Sequence, residues 1–302
     1  MGLRRALCRL RRRGKILQNG IGRLGQAAGR LSMAGTRQGS RGAGKRYHLL
    51  DGIRGATLVS MILYHAAWDF VYIAGVDWPW YHTQGAYYWQ QSICWTFILL
   101  SGFCMNLSRH KWKRGAVVFG AGCLVSAVTL VFMYEDRVIF GVLTFLGSAM
   151  LLTALLERWL LKLHAVIGFT LSAYLFYVFR AVNSGYLQFL PGVTVRLPGA
   201  LYGSIGADAA GSAGAYLETY LGFTADGFYS TDYFSVLPWI FLFWCGLYLG
   251  VLLRRDGTMQ SRVMTWNVRP LSFLGRHSLL IYLLHQPVIY MLVVFGSYAG
   301  IW

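Results

Sequence analysis

The sequence predicts an all-α fold, a polytopic membrane helix bundle with about seven transmembrane helices behind a disordered basic N-terminal tail. Three observations predict it. Only 13% of the 302 residues are charged while 56% are hydrophobic, whereas a soluble domain carries about a quarter charged residues. Apolar runs near the ~20 residues needed to cross a bilayer recur at 50–74, 85–107, 115–134, 139–157, 163–180, 236–253 and 271–294. The connections between these runs alternate between base-rich and base-poor, as cytoplasmic and opposite faces do.

Taken in order, residues 1–46 hold thirteen Lys and Arg and no acid, while the rest of the chain has fifteen basic and eleven acidic residues. The net charge of +17 therefore belongs to the tail, which excludes a nucleic-acid-binding surface on the main body. The tail is Gly-rich and lacks the apolar run of a signal peptide. Ala6 stands where a myristoylation motif requires Ser or Thr. Anionic lipid could still attract the tail, since each base near a membrane surface is worth about 1 kcal/mol. Residues 47–302 form the membrane domain.

With the tail in the cytoplasm, "SRHKWKR", "ERWLLKL" and "RRDGTMQSRVMTWNVR" all fall on the cytoplasmic side. The opposite side receives "GVDWPWYHTQ", "YEDR" and the 181–235 connection, which carries Asp208, Glu218, Asp226 and Asp232. The expected location is thus integral and multi-pass, with a cytoplasmic N-terminus. Eleven Trp, nineteen Tyr and eighteen Phe suit interfacial aromatic belts. The five cysteines form no CxxC spacing, so neither a metal site nor a disulfide framework is expected.

The first apolar run carries Asp51, Arg54, His65 and Asp69. On a helix these residues, with Leu58 and Met61, share about a quarter of the circumference. Ionisable groups within a span face a cavity or a partner rather than lipid. Asp51 and Arg54 can also be interfacial, with Arg54 snorkelling to water. His65 lies about 16 Å further along the axis. It can bond a neighbouring helix, or it can move protons, because imidazole titrates near neutrality. In the last run, Gly275, Ser278, Tyr282, His285, Gln286 and Ile289 share a face by the same arithmetic. Two inward polar stripes predict a common interior cavity.

These residues also carry a resemblance. "RYHLLDGIRG…LYH", with Arg54 and His65 separated by ten residues, resembles the first helix of integral-membrane acyltransferases. "FILLSGFCM" at 97–105 and "LGRHSLLIYLLHQPV" at 274–288 are similar to later helices of that superfamily. "FGVLTFLGSAM" and "STDYFSVLPWIFLFWCGLYLG" resemble the bacterial relatives of the heparan-α-glucosaminide N-acetyltransferase catalytic domain. The resemblance covers about residues 46–294 and implies an acyltransferase of a bacterial inner membrane. Such an enzyme takes an acyl group, commonly acetyl, from cytoplasmic acyl-CoA to a hydroxyl or amino group of a glycan-like acceptor on the other side. Acetyl-CoA would be a co-substrate, with no bound cofactor.

The resemblance makes His65 the catalytic candidate. It offers His82 as a second, because the heparan enzyme's key His lies before the second helix, and Thr144 stands where bacterial relatives often place a His. His65 would act as general base or carry the acyl group covalently, and His285 faces the same interior. Arg54, Ser278 and Tyr282 are candidate oxyanion donors. Asp51, Asp69 and Asp232 are candidates for orienting the acceptor, although Asp232 also suits a solvated helix start. Arg109 and Lys113, with Lys111 and Arg114, form one candidate CoA-phosphate cluster. Arg254 and Arg255, with Arg262, Arg269 and Arg276, form another, though the positive-inside tendency alone accounts for most of these bases. The rival readings are a proton-coupled transporter and a non-catalytic assembly protein whose polar stripes are packing contacts. The expected partners are lipid and a small acceptor, not nucleic acid.

Overall fold

The computed structural model describes residues 47–205 and 212–301. The expected disordered tail and Asp208 lie outside the described residues. The helices are α1 (His48–Tyr72), α2 (Gln84–Met105), α3 (Lys111–Phe132), α4 (Val142–Leu160), α5 (Ala165–Phe179), α6 (Ala213–Leu221), α7 (Val236–Arg255), α8 (Arg269–Arg276) and α9 (Ser278–Tyr298). One hairpin, β1 (Tyr186–Leu190) with β2 (Val193–Arg196), interrupts the 181–235 connection between α5 and α6. The fold is all-α, as the sequence predicts.

Among the described residues, five helices are long and apolar enough to cross a membrane: α3, α4, α5 with its extension to Ser184, α7 and α9. α1 and α2 are as long, at 25 and 22 residues, but polar side chains interrupt them. Asp51, Arg54 and Asp69 are the ionisable examples in α1 besides His65. The outward surface is apolar, with Phe132 79% exposed and Phe295 68% exposed. A surface of that kind needs lipid rather than water. This supports an integral membrane protein.

Glycines set which helices pair. A Cβ at Gly102 would lie 1.9 Å from the carbonyl oxygen of Phe243, and one at Gly246 would lie 2.0 Å from that of Leu99. Only hydrogen allows the α2 and α7 backbones to come so close, the small-residue contact by which membrane helices associate. Likewise a Cβ at Gly55 would meet the Leu271 oxygen at 1.9 Å, and one at Gly275 the Asp51 oxygen at 1.9 Å. These contacts press α8 onto the start of α1. Ile98, Phe145, Phe243 and Leu247, all fully buried, anchor the core between α2, α4 and α7.

The contacts also fix direction. α2 and α7 run parallel, with Leu99 beside Gly246 and Asn106 Nδ2 donating to Leu247 O at 2.7 Å. α1 runs parallel to α8 and α9, with Asp51 beside Gly275 and Asp69 bonded to Gln286. α3 and α4 are antiparallel, since Lys111 at the start of one pairs with Glu157 near the end of the other. α5 and α7 are antiparallel, with Gly168 against Tyr248 and Phe176 against Trp239. Each relation is what long helices that run alternately up and down along the chain require.

The last apolar run is not one helix. His277 leaves helical geometry and its backbone N–H bonds to Phe273 O and Leu274 O, closing α8. Its ring packs on Phe273 with centroids 4.5 Å apart. The expected continuous stripe is therefore split: Gly275 belongs to the α1–α8 contact, while Ser278, Tyr282, His285, Gln286 and Ile289 belong to α9. Asp232 is likewise not a solvated residue at the start of α7. Its Oδ2 accepts the N–H of Val142 at 3.1 Å and so satisfies a free donor at the start of α4.

Candidate functional site

α1 and α9 place their polar stripes face to face. His65 and Asp69 are one turn apart on α1, so both point the same way. Leu58 and Asp69 are fully buried and Met61 is 4% exposed, as an inward stripe requires. Across from them, the ring of His285 lies 5.0 Å from that of His65 at an interplanar angle of 64°. Gln286 Nε2 donates to Asp69 Oδ1 at 2.7 Å. Where a shared cavity is expected between the two stripes, the two imidazoles are in ring contact instead.

The tautomer of His285 follows from its neighbour. Its Nδ1 is 2.6 Å from the backbone carbonyl of Tyr282, and a carbonyl can only accept. Nδ1 therefore carries the proton, and in the neutral ring the lone pair sits on Nε2. That Nε2 is buried with no hydrogen-bond partner among the described residues, as are Asp69 Oδ2 and Gln286 Oε1. Buried polar atoms are normally satisfied, so three unpaired atoms on two facing helices mark a place built to meet something polar.

Tyr282, one turn earlier on α9, extends the site. Its side chain adjoins the carboxyl of Asp232. Burial pushes the Asp232 carboxyl above the ordinary carboxylate range, while the Val142 N–H and Tyr282 pull the other way. On the far side of His65, Tyr64 stacks on Tyr81 at 5.3 Å and meets Trp89 edge-on at 5.3 Å. Burial raises the Tyr81 phenol above its ordinary range.

The structure thus brings together His65, His285, Asp69 and Gln286, with Tyr282 and Asp232 adjoining, and Ser278 half-buried at the first residue of α9. It does not bring Arg54 to them. Arg54 Nη1 is 3.6 Å from Asp51 Oδ1 and Nη2 donates to Cys104 Sγ at 3.1 Å, towards the other end of α1. His82 is exposed, and its ring meets Tyr72 and Tyr81 rather than His65. Tyr81 and Tyr64 stand between the two histidines. Sequence reasoning missed both tyrosines as an aromatic wall. The available signal was their position, each directly before a singled-out histidine.

Arg109, Lys113, Arg254 and Arg255 are all exposed. Arg254 Nη2 donates to Asn106 O at 2.7 Å, so the two basic clusters meet where the α2–α3 turn touches the end of α7. Asn106 and Cys104 share one helix end, which places Arg54 near the same face. These exposed cations are chemically suited to a polyphosphate. A depression of about 330 Å³ lined by Leu156, Trp159, Leu160 and Leu163 includes none of the site residues. Among the described residues no group of three His, Cys, Asp or Glu is placed to hold a metal.

An apolar-surfaced helical bundle with a histidine pair in its interior, His285 buried, is the architecture of an integral membrane protein. The chain belongs to the family described as heparan-alpha-glucosaminide N-acetyltransferase, catalytic, whose profile matches residues 46–287. No curated protein and no solved structure matches it. Membership carries a membrane acetyltransferase-like function, and acetyltransferases of this kind use acetyl-CoA as co-substrate in general.

Proposed function

We propose that this protein transfers an acyl group, in the first instance acetyl, from acyl-CoA at its basic face to a hydroxyl or amino group of a glycan-like acceptor reaching the site from the opposite side of a bacterial inner membrane. The observation that carries the reading is the contact of His65 with His285, whose Nε2 is bare and buried. That lone pair is what a general base needs. As the acceptor attacks the thioester carbonyl, His285 Nε2 takes its proton. The new C–O or C–N bond forms, the C–S bond breaks, and the proton passes to the departing CoA sulfur. His65, in ring contact, steadies the imidazolium or carries the acyl group covalently in a two-step route. The Tyr282 hydroxyl, on a ring 5.3 Å from that of His285, is a candidate donor to a developing oxyanion.

Arg254, Arg255, Arg109 and Lys113 would hold the CoA phosphates. Arg54 organises that end of α1 through Asp51 and Cys104 rather than acting on the acyl group. Arg54 and His65 are about 16 Å apart along the helix, a span that a pantetheine arm can bridge. Protein in proteoliposomes supplied with radiolabelled acetyl-CoA tests the reading through CoA release and label transfer to supplied amino sugars. His285→Ala and His65→Ala should each cut transfer about 10²–10⁴-fold while CoA binding persists. Full transfer in both variants would refute the assignment. A proton flux without CoA release in the native chain would favour the transporter.

A further inference from the structure

The β1–β2 hairpin exposes apolar side chains in quantity. Leu190 is 59% exposed, Val193 and Val195 are each 49%, Tyr186 is 40% and Phe189 is 38%. Every residue of β2 is exposed, and so are three of the five in β1. In water this short sheet would show apolar groups on both faces at once, where a half-buried strand alternates apolar with polar residues.

Its position explains the pattern. The base of the hairpin sits at the C-terminal end of α5, where Tyr186 N–H donates to Ala181 O at 3.2 Å and Leu197 N–H to Gly185 O at 2.8 Å. The strands do not project away from the bundle. Tyr174 Oη donates to Phe189 O at 3.5 Å, and Tyr174 lies five residues before the last residue of α5, roughly 8 Å down the helix axis. The hairpin therefore folds back along a membrane-crossing helix. Its tip, Leu190-Pro191-Gly192-Val193, lies deeper still. The exposed apolar residues Ile167, Leu171 and Tyr174 share one face of α5, and Tyr174 joins that face to the hairpin.

We infer that this hairpin lies in the headgroup–acyl boundary of the leaflet at the C-terminal end of α5, with lipid as the partner of its apolar faces. Two features fix the depth. A two-stranded sheet has open edges whose N–H and C=O groups cannot be left unpaired in the hydrocarbon core, so the hairpin stays in the boundary zone. Tyr174 already satisfies one such carbonyl. The charged residue sits where this orientation needs it: Arg196 pairs with Tyr186 at the base, level with the headgroups, while the tip carries no charge. Tyrosine and arginine at that level are usual interfacial anchors.

The test uses full-length protein reconstituted in phosphatidylcholine–phosphatidylglycerol vesicles, with a bimane fluorophore on Val193→Cys and, as a second site, on Leu190→Cys. The signal of the identically labelled native chain is subtracted. Glu135→Cys, on the exposed α3–α4 connection, is the aqueous control. Both hairpin sites should give blue-shifted emission, quenching by lipid carrying a shallow nitroxide, and loss of iodide quenching relative to the control. Iodide quenching equal to that at Glu135→Cys would overturn the inference. Protection from both quenchers, with disulfide-linked dimers of Val193→Cys on oxidation, would also overturn it by showing that a second copy covers the hairpin.

Discussion

Replacing Gln286 by Leu should destabilise the bundle by removing the donor to a fully buried carboxyl. The bond is 2.7 Å long, Asp69 is 0% exposed, and its other oxygen has no partner among the described residues. A hydrogen bond to a charged group is worth about 1.5–3 kcal/mol in soluble proteins. Hydrogen bonds between membrane helices average nearer 0.6 kcal/mol, with a maximum of about 1.7. Asp69 has no other side-chain donor among the described residues, so the upper end of the membrane range applies, about 1.5 kcal/mol, or roughly tenfold in the unfolding equilibrium. The partner variant Asp69→Leu removes the stranded carboxyl. The double variant should therefore be more stable than the sum of the two single losses by about that amount. Equilibrium unfolding in mixed micelles at fixed lipid ratio measures all four proteins. A coupling energy below about 0.5 kcal/mol, the limit of simple additivity, would refute the view that this pair clamps α1 to α9.

His82→Ala should leave acetyl transfer unchanged in the same proteoliposome assay that detects loss in His285→Ala, because His82 is exposed and separated from the pair by Tyr81 and Tyr64. Gly102→Val should cost about 1–3 kcal/mol or more, read as a fall in unfolding midpoint, because its Cβ would enter the Phe243 carbonyl. Gly120→Ala, in the same bundle but with nothing within 4 Å of a new Cβ, should instead be neutral or stabilise by about 0.5–1 kcal/mol. Asp232→Asn should raise stability at neutral pH and flatten its pH dependence. Burial raises the native Asp232 pKa, so that group's contribution is complete below the ordinary carboxylate range and is lost as pH rises through the raised value. A pH–stability profile that falls just as steeply in the Asn variant would assign the dependence to another group.

Much of the helix layout could be read from the sequence, because a bilayer demands apolar length and the chain supplies it in runs that helices occupy. The inward face of α1 was legible for the same reason: Asp51, His65 and Asp69 cannot share a lipid-facing stripe. What pattern could not supply was the break at His277. It depends on a backbone cap and on Gly275 meeting Asp51, a contact 224 residues distant in the case of the neighbouring Ser272–His48 bond. Nor could periodicity assign Asp232 to α4 rather than α7, since the N–H it satisfies lies 90 residues earlier in the chain. The same limit applies to Arg54. Its helical face was correctly inferred, but whether it served His65 or a cysteine on α2 was decided by tertiary packing alone.

The direction of the helices gives the site its polarity. Because α1 and α9 are parallel, the end of α1 that holds Asp51 is also the end from which α9 departs, and the glycine contact with α8 makes that end rigid. Moving along α1 towards its C-terminus, the polar groups change character, from the Arg54–Asp51 pair to the imidazoles and then to the Asp69–Gln286 bond. α2 and α7 are also parallel, and the Arg254–Asn106 bond joins their ends on the Arg54 side. Charge that can neutralise phosphate is therefore gathered at one end, while the imidazoles lie a helix half-length away. A donor with a charged head and a long uncharged arm fits that gradient, whereas a small ion crossing the bundle would meet the Asp69–Gln286 clamp as an obstacle. The spacing and the closed packing are the two features that support the proposed acyl transfer over ion transport.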